Sequence, residues 1–213
     1  MGLRERKKAQ TRQRIADTAH RLFGERGFQR VTVAEVAREA DVAEATLFNY
    51  FPTKEDLFYS GLEEFGARLV EAVRQRPAGE PALVAFRTFL LDEAEQLDRI
   101  GNDQVALEHA SANARVVLAS QDLQTRERQV LAGIATTLAA ALDGRTSGPV
   151  RHAVANALLG VHTALLDYAR ERLAGPESPQ TIGADVRART VEALALLEHG
   201  LGDFASDTAD RRG

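Results

Sequence analysis

Residues 32–57 read TVAEVAREADVAEATLFNYFPTKEDL, and the fold follows from them. Thr32 and Glu35 have the spacing of a capping box. The hydroxyl accepts the N–H of residue 35 while the carboxylate reaches back to the N–H of residue 32. Val36, Ala37 and Ala40 then give one apolar face. Asp41 tolerates the left-handed backbone better than most residues. Val42 sits in the turn, and a second helix follows over about 43–51. Ala37, Val42 and Leu47 are spaced to meet, as they do when two helices flank a turn of three or four residues in a helix-turn-helix. Pro52 ends the second helix, because it restricts Phe51 and has no N–H to donate. Thr53 with Asp56 repeats the capping chemistry and starts another helix.

Outward from this stretch the chain reads as helical throughout. Ile15, Ala19, Leu22 and Phe23 lie on one face of a first helix over about 11–24, with Gly24 and Gly27 at its end. Residues 1–9 are polar and expected to be loose. The helix after Thr53 carries Leu57, Leu62, Phe65, Leu69 and Val70 to about 76. Pro77-Ala78-Gly79-Glu80-Pro81 is the clearest break. Beyond it, helices are expected over 82–97 and over 104–119, the latter with a weak point at Ser111-Ala112-Asn113. A long helix capped by Ser120 or Asp122 should reach 142, and another should span 149–173 with Pro149 at its first position. The last, capped by Thr181, should reach 201. A turn is expected over 100–103 with Asp103 as an N-cap, a loop over 145–148, a break over 175–179, and a frayed tail over 203–213. No strand-like alternation is present, so the expected fold is all-α.

Composition narrows the function classes. The 213 residues are 44% hydrophobic, enough for one domain or two small ones. There is no cysteine, hence no disulfide, thiol nucleophile or cysteine metal site. The histidines at 20, 109, 152, 162 and 199 show neither HxxxH nor HExxH spacing, and no GxSxG, GxGxxG or Walker-type loop is present. The pairs Glu93/Glu95 and Glu63/Glu64 lie on polar faces and read as solvated charges. No catalytic residue, metal or cofactor is therefore expected. With no long apolar run and a charged N-terminus, neither a membrane span nor a secretory signal is expected, and the location is expected to be cytoplasmic.

The net charge of −4 hides an asymmetry. Residues 1–54 hold eleven Lys/Arg against seven Asp/Glu, and the remainder sixteen against twenty-four. Arg4, Arg6, Lys7, Lys8, Arg12 and Arg14 crowd the start of the chain. Alone such a basic run reads as a solvated tail, but ahead of a helix-turn-helix it suits phosphate neutralisation. In the second helix of the motif, Leu47 and Phe51 form an inward pair. Thr46, Phe48, Asn49 and Tyr50 are left to project outward. Asn can bond adenine twice and Thr can pack against a thymine methyl. Tyr50 can bond a phosphate, and Lys54 adds charge at a helix N-terminus, where an anion is already favoured. Thr32 occupies a similar position, with its side chain engaged in capping. The alternative for Phe48 and Tyr50 is that they fill the core of the small domain.

The run Thr46-Leu47-Phe48-Asn49-Tyr50-Phe51-Pro52-Thr53-Lys54-Glu55-Asp56-Leu57 resembles the recognition-helix signature of the TetR family of bacterial transcriptional regulators. Arg14-Ile15-Ala16-Asp17-Thr18-Ala19, Leu22-Phe23 and Gly27-Phe28 resemble that family's first helix and following turn. The chain departs from the family pattern in Phe48, which lacks a tyrosine hydroxyl, and in Glu44 and Ala43, where a basic residue and a capping Ser are common. The resemblance covers about residues 10–60 and implies a three-helix DNA-binding domain over 1–53. It also implies a helical bundle over 54–213 for ligand binding and dimerisation. Phe65, Phe86, Phe89, His109, Asn113, Asn156, His162 and Tyr168 are the candidate lining of its cavity, with ordinary core packing as the alternative for each. His162 sits in an apolar stretch over 158–166. If buried, it needs a side chain, a water or a ligand as partner. Val154, Leu158, Val161 and Leu165 recur on one helix face, and Val186, Thr190, Leu194 and Leu197 on the last. These faces either pair two chains or close the monomer's own core. The implied function is a homodimeric repressor of a palindromic operator in double-stranded DNA, released by a small apolar or amphipathic effector. The rival is a helical carrier module with a purely structural helix-turn-helix.

Overall fold

The computed structural model describes residues 2–100, 104–142, 147–175 and 182–200. The expected turn over 100–103, the loop over 145–148, the break over 175–179, the Thr181 cap and the tail lie wholly or partly outside these residues. All regular structure among the described residues is helical. No helix there is long and apolar enough to cross a membrane.

The first helix, α1, spans Leu3–Arg26, so the expectation of a loose segment over 1–9 is corrected. Arg, Lys, Ala and Gln are strong helix formers, and neither Gly nor Pro interrupts residues 3–23. The Gly2 N–H donates to the Glu5 carboxylate at 3.1 Å, which satisfies one of the free groups at the helix start. Gly24 lies inside α1, which ends at Gly27, where φ is 80° and the N–H returns to Phe23 O at 2.8 Å. A short 3-10 turn over Phe28–Arg30 follows.

The helices α2 (Val33–Glu39) and α3 (Glu44–Tyr50) form the helix-turn-helix. Glu35 N–H donates to Thr32 Oγ1 at 3.2 Å and Thr32 N–H donates to Glu35 Oε2 at 2.8 Å, which is the capping box read from sequence. Asp41 takes φ 51° in the turn. Ala43 caps α3 with backbone alone. Ile15, Ala19, Leu22 and Phe23 of α1 meet Ala37, Leu47 and Phe51 in one buried core. Burying each of the larger of these side chains stabilises the fold by roughly 1.5–3 kcal/mol.

After the Thr53–Asp56 capping box, the expected single helix divides into α4 (Lys54–Phe58) and α5 (Ser60–Arg74). The Ser60 hydroxyl donates to Leu57 O at 2.8 Å, a back-bond of the kind that bends helices. Its proton is thereby used, so His20 Nε2 of α1 donates to Ser60 Oγ at 2.9 Å. Burial is the main cause that lowers the His20 pKa, against the raising effect of Glu64 and Asp17.

The bundle continues through α6 (Ala82–Ile100), α7 (Gln104–Leu118), α8 (Gln121–Ala141), α9 (Gly148–Ala174) and α10 (Ile182–His199). No interruption occurs at Ser111–Asn113, and Ser111 is buried within α7. Ser120, not Asp122, caps α8 by accepting the Leu123 N–H at 3.3 Å. Gly66 lets α5 approach α8, since a Cβ there would collide with Ile134.

Leu158, Leu165, Val186, Thr190 and Leu194 are buried within the chain itself. The interface expected on those residues is corrected, because the monomer's own core uses them. The open apolar stripe on α9 runs through Val150, Ala153, Val154, Ala157, Gly160 and Ala164. The adjacent α10 exposes Ala184, Ala188 and Val191.

Candidate nucleic-acid interface and ligand cavity

Leu47 and Phe51 are buried, as their spacing requires, and this turns the other face of α3 outward. Phe48, at 44% exposure, and Asn49 project into solvent. Thr46 is half-buried, and so is Tyr50, which packs against the small domain's core. The Thr32 hydroxyl is engaged twice, accepting the Glu35 N–H and donating to Glu35 Oε2 at 2.9 Å. Lys54 Nζ lies 4.3 Å from the Phe28 ring centroid, and desolvation there lowers its pKa. The face is thus a free aromatic ring and a free amide on a helix held from below, bordered by a cation on an aromatic ring. The basic residues of α1 stand on a regular helix rather than a loose arm, and the Arg12 guanidinium lies 4.7 Å from the Phe51 ring centroid.

A cavity of about 360 Å³ opens in the bundle, walled by α4 through α7, α9 and α10. Of the eight candidate lining residues, Phe65, Asn113 and His162 come together on it. Phe86 is fully buried in the core, and Phe89 packs edge-on to Phe65 at 5.3 Å between centroids. His109 leaves the wall and stands against Gly24 of α1. Asn156 is exposed and donates to His152 O at 2.8 Å. Tyr168 donates to Asp185 Oδ2 at 2.7 Å. Asn156 and Tyr168 each lie six residues from His162, which on a helix rotates them about 120° off its face.

Tyr59 and Arg170 also line the cavity, and the residue-type reading missed both. The signal for Arg170 was present in helical phase. His162, Leu165, Leu166, Ala169, Arg170 and Leu173 form one continuous stripe. The Arg170 guanidinium donates to both oxygens of Glu127, at 3.1 Å to Oε2, and to Asp167 at 3.1 Å. Burial and the nearby Glu127 charge raise the Tyr59 pKa, so its hydroxyl keeps its proton.

His162 stacks on Phe65 with 4.2 Å between ring centroids, and burial pushes its pKa down to about 4. In the unfolded chain a histidine binds its proton near pH 6.5. Between pH 6.5 and 4 the unfolded state therefore holds the extra proton. This contribution to stability is complete above that window and is lost as pH falls through it, by on the order of 3 kcal/mol. His162→Phe is expected to remove that part of the acid sensitivity. Urea midpoints of the two chains from pH 7.5 to 4.5 check it, and parallel curves would refute a buried neutral imidazole.

Residues 15–60 match a family profile described as bacterial regulatory proteins, tetR family. The chain is 30% identical over 167 residues to MftR of Mycobacterium tuberculosis, described as a mycofactocin biosynthesis transcriptional regulator. That match covers 73% of this chain and 78% of the relative. The chain belongs to the TetR family. It is a DNA-binding transcriptional regulator. A TetR-family structure, the transcriptional repressor FadR of Thermus thermophilus in complex with lauroyl-CoA, is 25% identical. It superposes with a TM-score of 0.56 over 95% of this chain and 99% of the other. The HTH-type regulator TcmR of Streptomyces glaucescens is 33% identical over 85 residues, 40% of this chain and 38% of that one. The TetR-family match falls on the helix-turn-helix and its flanks, where the capping boxes and the inward pair lie.

Proposed function

We propose that this TetR-family regulator is a homodimeric repressor whose hold on a palindromic operator is released by a small apolar or amphipathic molecule. The observation that carries the reading is the position of Phe58. Its ring packs on Phe23 at 6.0 Å and Phe28 at 5.1 Å in the small domain, and with Tyr59 it also walls the cavity. Residues 1–53, with Lys54 at the start of the next helix, read DNA, and the rest of 54–213 binds the effector and pairs the chains. Phe48, Asn49 and Thr46 face the bases, Tyr50 and Lys54 the phosphates, and Thr32 holds α2 in register. A filled cavity moves Phe58 and hence the spacing of the two recognition helices from the 34–36 Å that successive major grooves require. The effector acts only as far as it binds the released state more tightly. The FadR relative, a repressor in complex with lauroyl-CoA, supports an effector with an apolar body. Since the regulator works on DNA, its place is the cytoplasm.

Enrichment of genomic fragments on the protein should yield an inverted repeat. Asn49→Ala is expected to lose roughly 1–3 kcal/mol on that repeat and to relax preference at one base pair per half-site. Thermal stability should hardly change, since the amide faces solvent. Equal losses on enriched and random fragments would show that Asn49 reads no base. Failure of the wild-type chain to prefer any fragment would leave the helix-turn-helix a structural module.

A further inference from the structure

The cavity wall is apolar over most of its area, through Phe58, Phe65, Leu90, Val117, Leu165 and Leu173. Three residues of the wall, Tyr59, Asn113 and His162, each carry a buried polar atom (Oη, Oδ1 and Nε2) with no hydrogen-bond partner among the described residues. Buried polar atoms in folded proteins nearly always have a partner, so such atoms around one space mark what a guest supplies. Two charged side chains also reach the wall, and both are spent. Arg170 is held by Glu127 and Asp167, and Glu93 accepts from Arg68 at 2.9 Å. Among the described wall residues a carboxylate guest would meet no free cation, only the paired Arg170 and the acid Glu93. An ammonium guest would meet no free carboxylate among the described wall residues. Either would lose its hydration without a replacement charge. The three unpartnered groups are neutral: a phenol that keeps its proton, an amide and an unprotonated imidazole. Together they offer donors and acceptors to an uncharged partner.

We propose that the cavity selects an uncharged molecule, an apolar body with a hydroxyl or carbonyl group that meets Tyr59, Asn113 and His162, and that it rejects carboxylates and ammonium ions. The proposal rests on the effector reading above and narrows it. A site built to hydrogen-bond a hydroxyl discriminates strongly against the analogue that lacks it, because the site's own groups are then left unpaired.

Four probes of one shape test this on the full-length protein at pH 7: 2-naphthol, naphthalene, 2-naphthoate and 2-(aminomethyl)naphthalene. Calorimetry is expected to give 2-naphthol at least a tenfold lower Kd than each of the others. Tyr59→Phe and Asn113→Leu should each narrow the gap between 2-naphthol and naphthalene by about threefold or more, by weakening 2-naphthol and tightening naphthalene. Equal binding of 2-naphthol and naphthalene overturns the polar subsite. Tighter binding of either ion overturns the charge selection, and no binding by 2-naphthol overturns the proposal as a whole. Operator release is measured separately. A 2-naphthol complex that still holds the operator refutes the effector reading and leaves the selectivity standing. A tightly bound carboxylate that frees the operator does the reverse.

Discussion

A chain carrying Val154→Glu and Val191→Glu is expected to sediment as a monomer, keep its helix content and lose operator affinity by a factor of 10² to 10⁴. Val154 is 41% exposed and Val191 46% exposed in the single chain, so neither glutamate disturbs the monomer's packing. Both belong to the open apolar stripes on α9 and α10, the faces on which the proposed dimer would pair. In a paired assembly the two substitutions place four carboxylates in one apolar contact, with no partner for any of them. Desolvating unpaired charges is costly enough to dissociate it. Each recognition helix then binds its half-site alone and forfeits the effective concentration that linkage provides. An intact dimer would mean that another face pairs the chains. A monomer with undiminished operator affinity would sink the two-helix reading of DNA. Leu158→Glu with Leu194→Glu is a control of a different kind, because those residues are 3% and 1% exposed and the chain should fail to fold.

The second large effect is expected at Arg170→Met. The guanidinium forms a two-pronged pair with Glu127, whose side chain is 10% exposed, like that of Arg170. Removing only the cation leaves a carboxylate buried without its counter-charge, which costs about 3–5 kcal/mol. For a chain of this length that lowers Tm by on the order of 10 °C. Replacing both, as Arg170→Met with Glu127→Leu, should recover most of the loss, since a well-packed apolar pair serves about as well as a buried ion pair. Asp167 adds little to either figure, with its side chain 57% exposed. Thermal and urea unfolding of the three variants check this. A single-variant loss below about 1 kcal/mol would show that water reaches Glu127.

The small domain was legible because its determinants are local. Thr32 with Glu35, Thr53 with Asp56 and the left-handed Asp41 act within a few residues, and Leu47 and Phe51 fix one helix face between them. The cavity was not legible to the same degree, because its wall is assembled from six helices. Choosing aromatic and polar residues by type brought in Asn156 and Tyr168, which helical phase places off the His162 face, and passed over Tyr59 and Arg170. The pairing face failed for a related reason. Both sides of α9 are apolar, one against the monomer's core and one open, and periodicity finds faces without saying what covers them. At the N-terminus, dense charge read as looseness, although Arg, Lys, Ala and Gln without Gly or Pro are good helix formers.

Phe58 lies five residues past Thr53, yet its ring completes an aromatic cluster with Phe23 and Phe28 and meets Tyr59 edge-on at 5.0 Å. His20 reaches Ser60 and Gly61, and His109 reaches back to Gly24. A seam drawn in the sequence after residue 53 therefore cuts through packed rings. For anyone grafting this DNA-reading head onto another effector body, the joint belongs after Tyr59. The new body must bring a glycine to face His20 and a flat side chain to lie on Gly24. A head exchanged without those matches would sit askew on its host, and it would stay deaf to whatever the host binds.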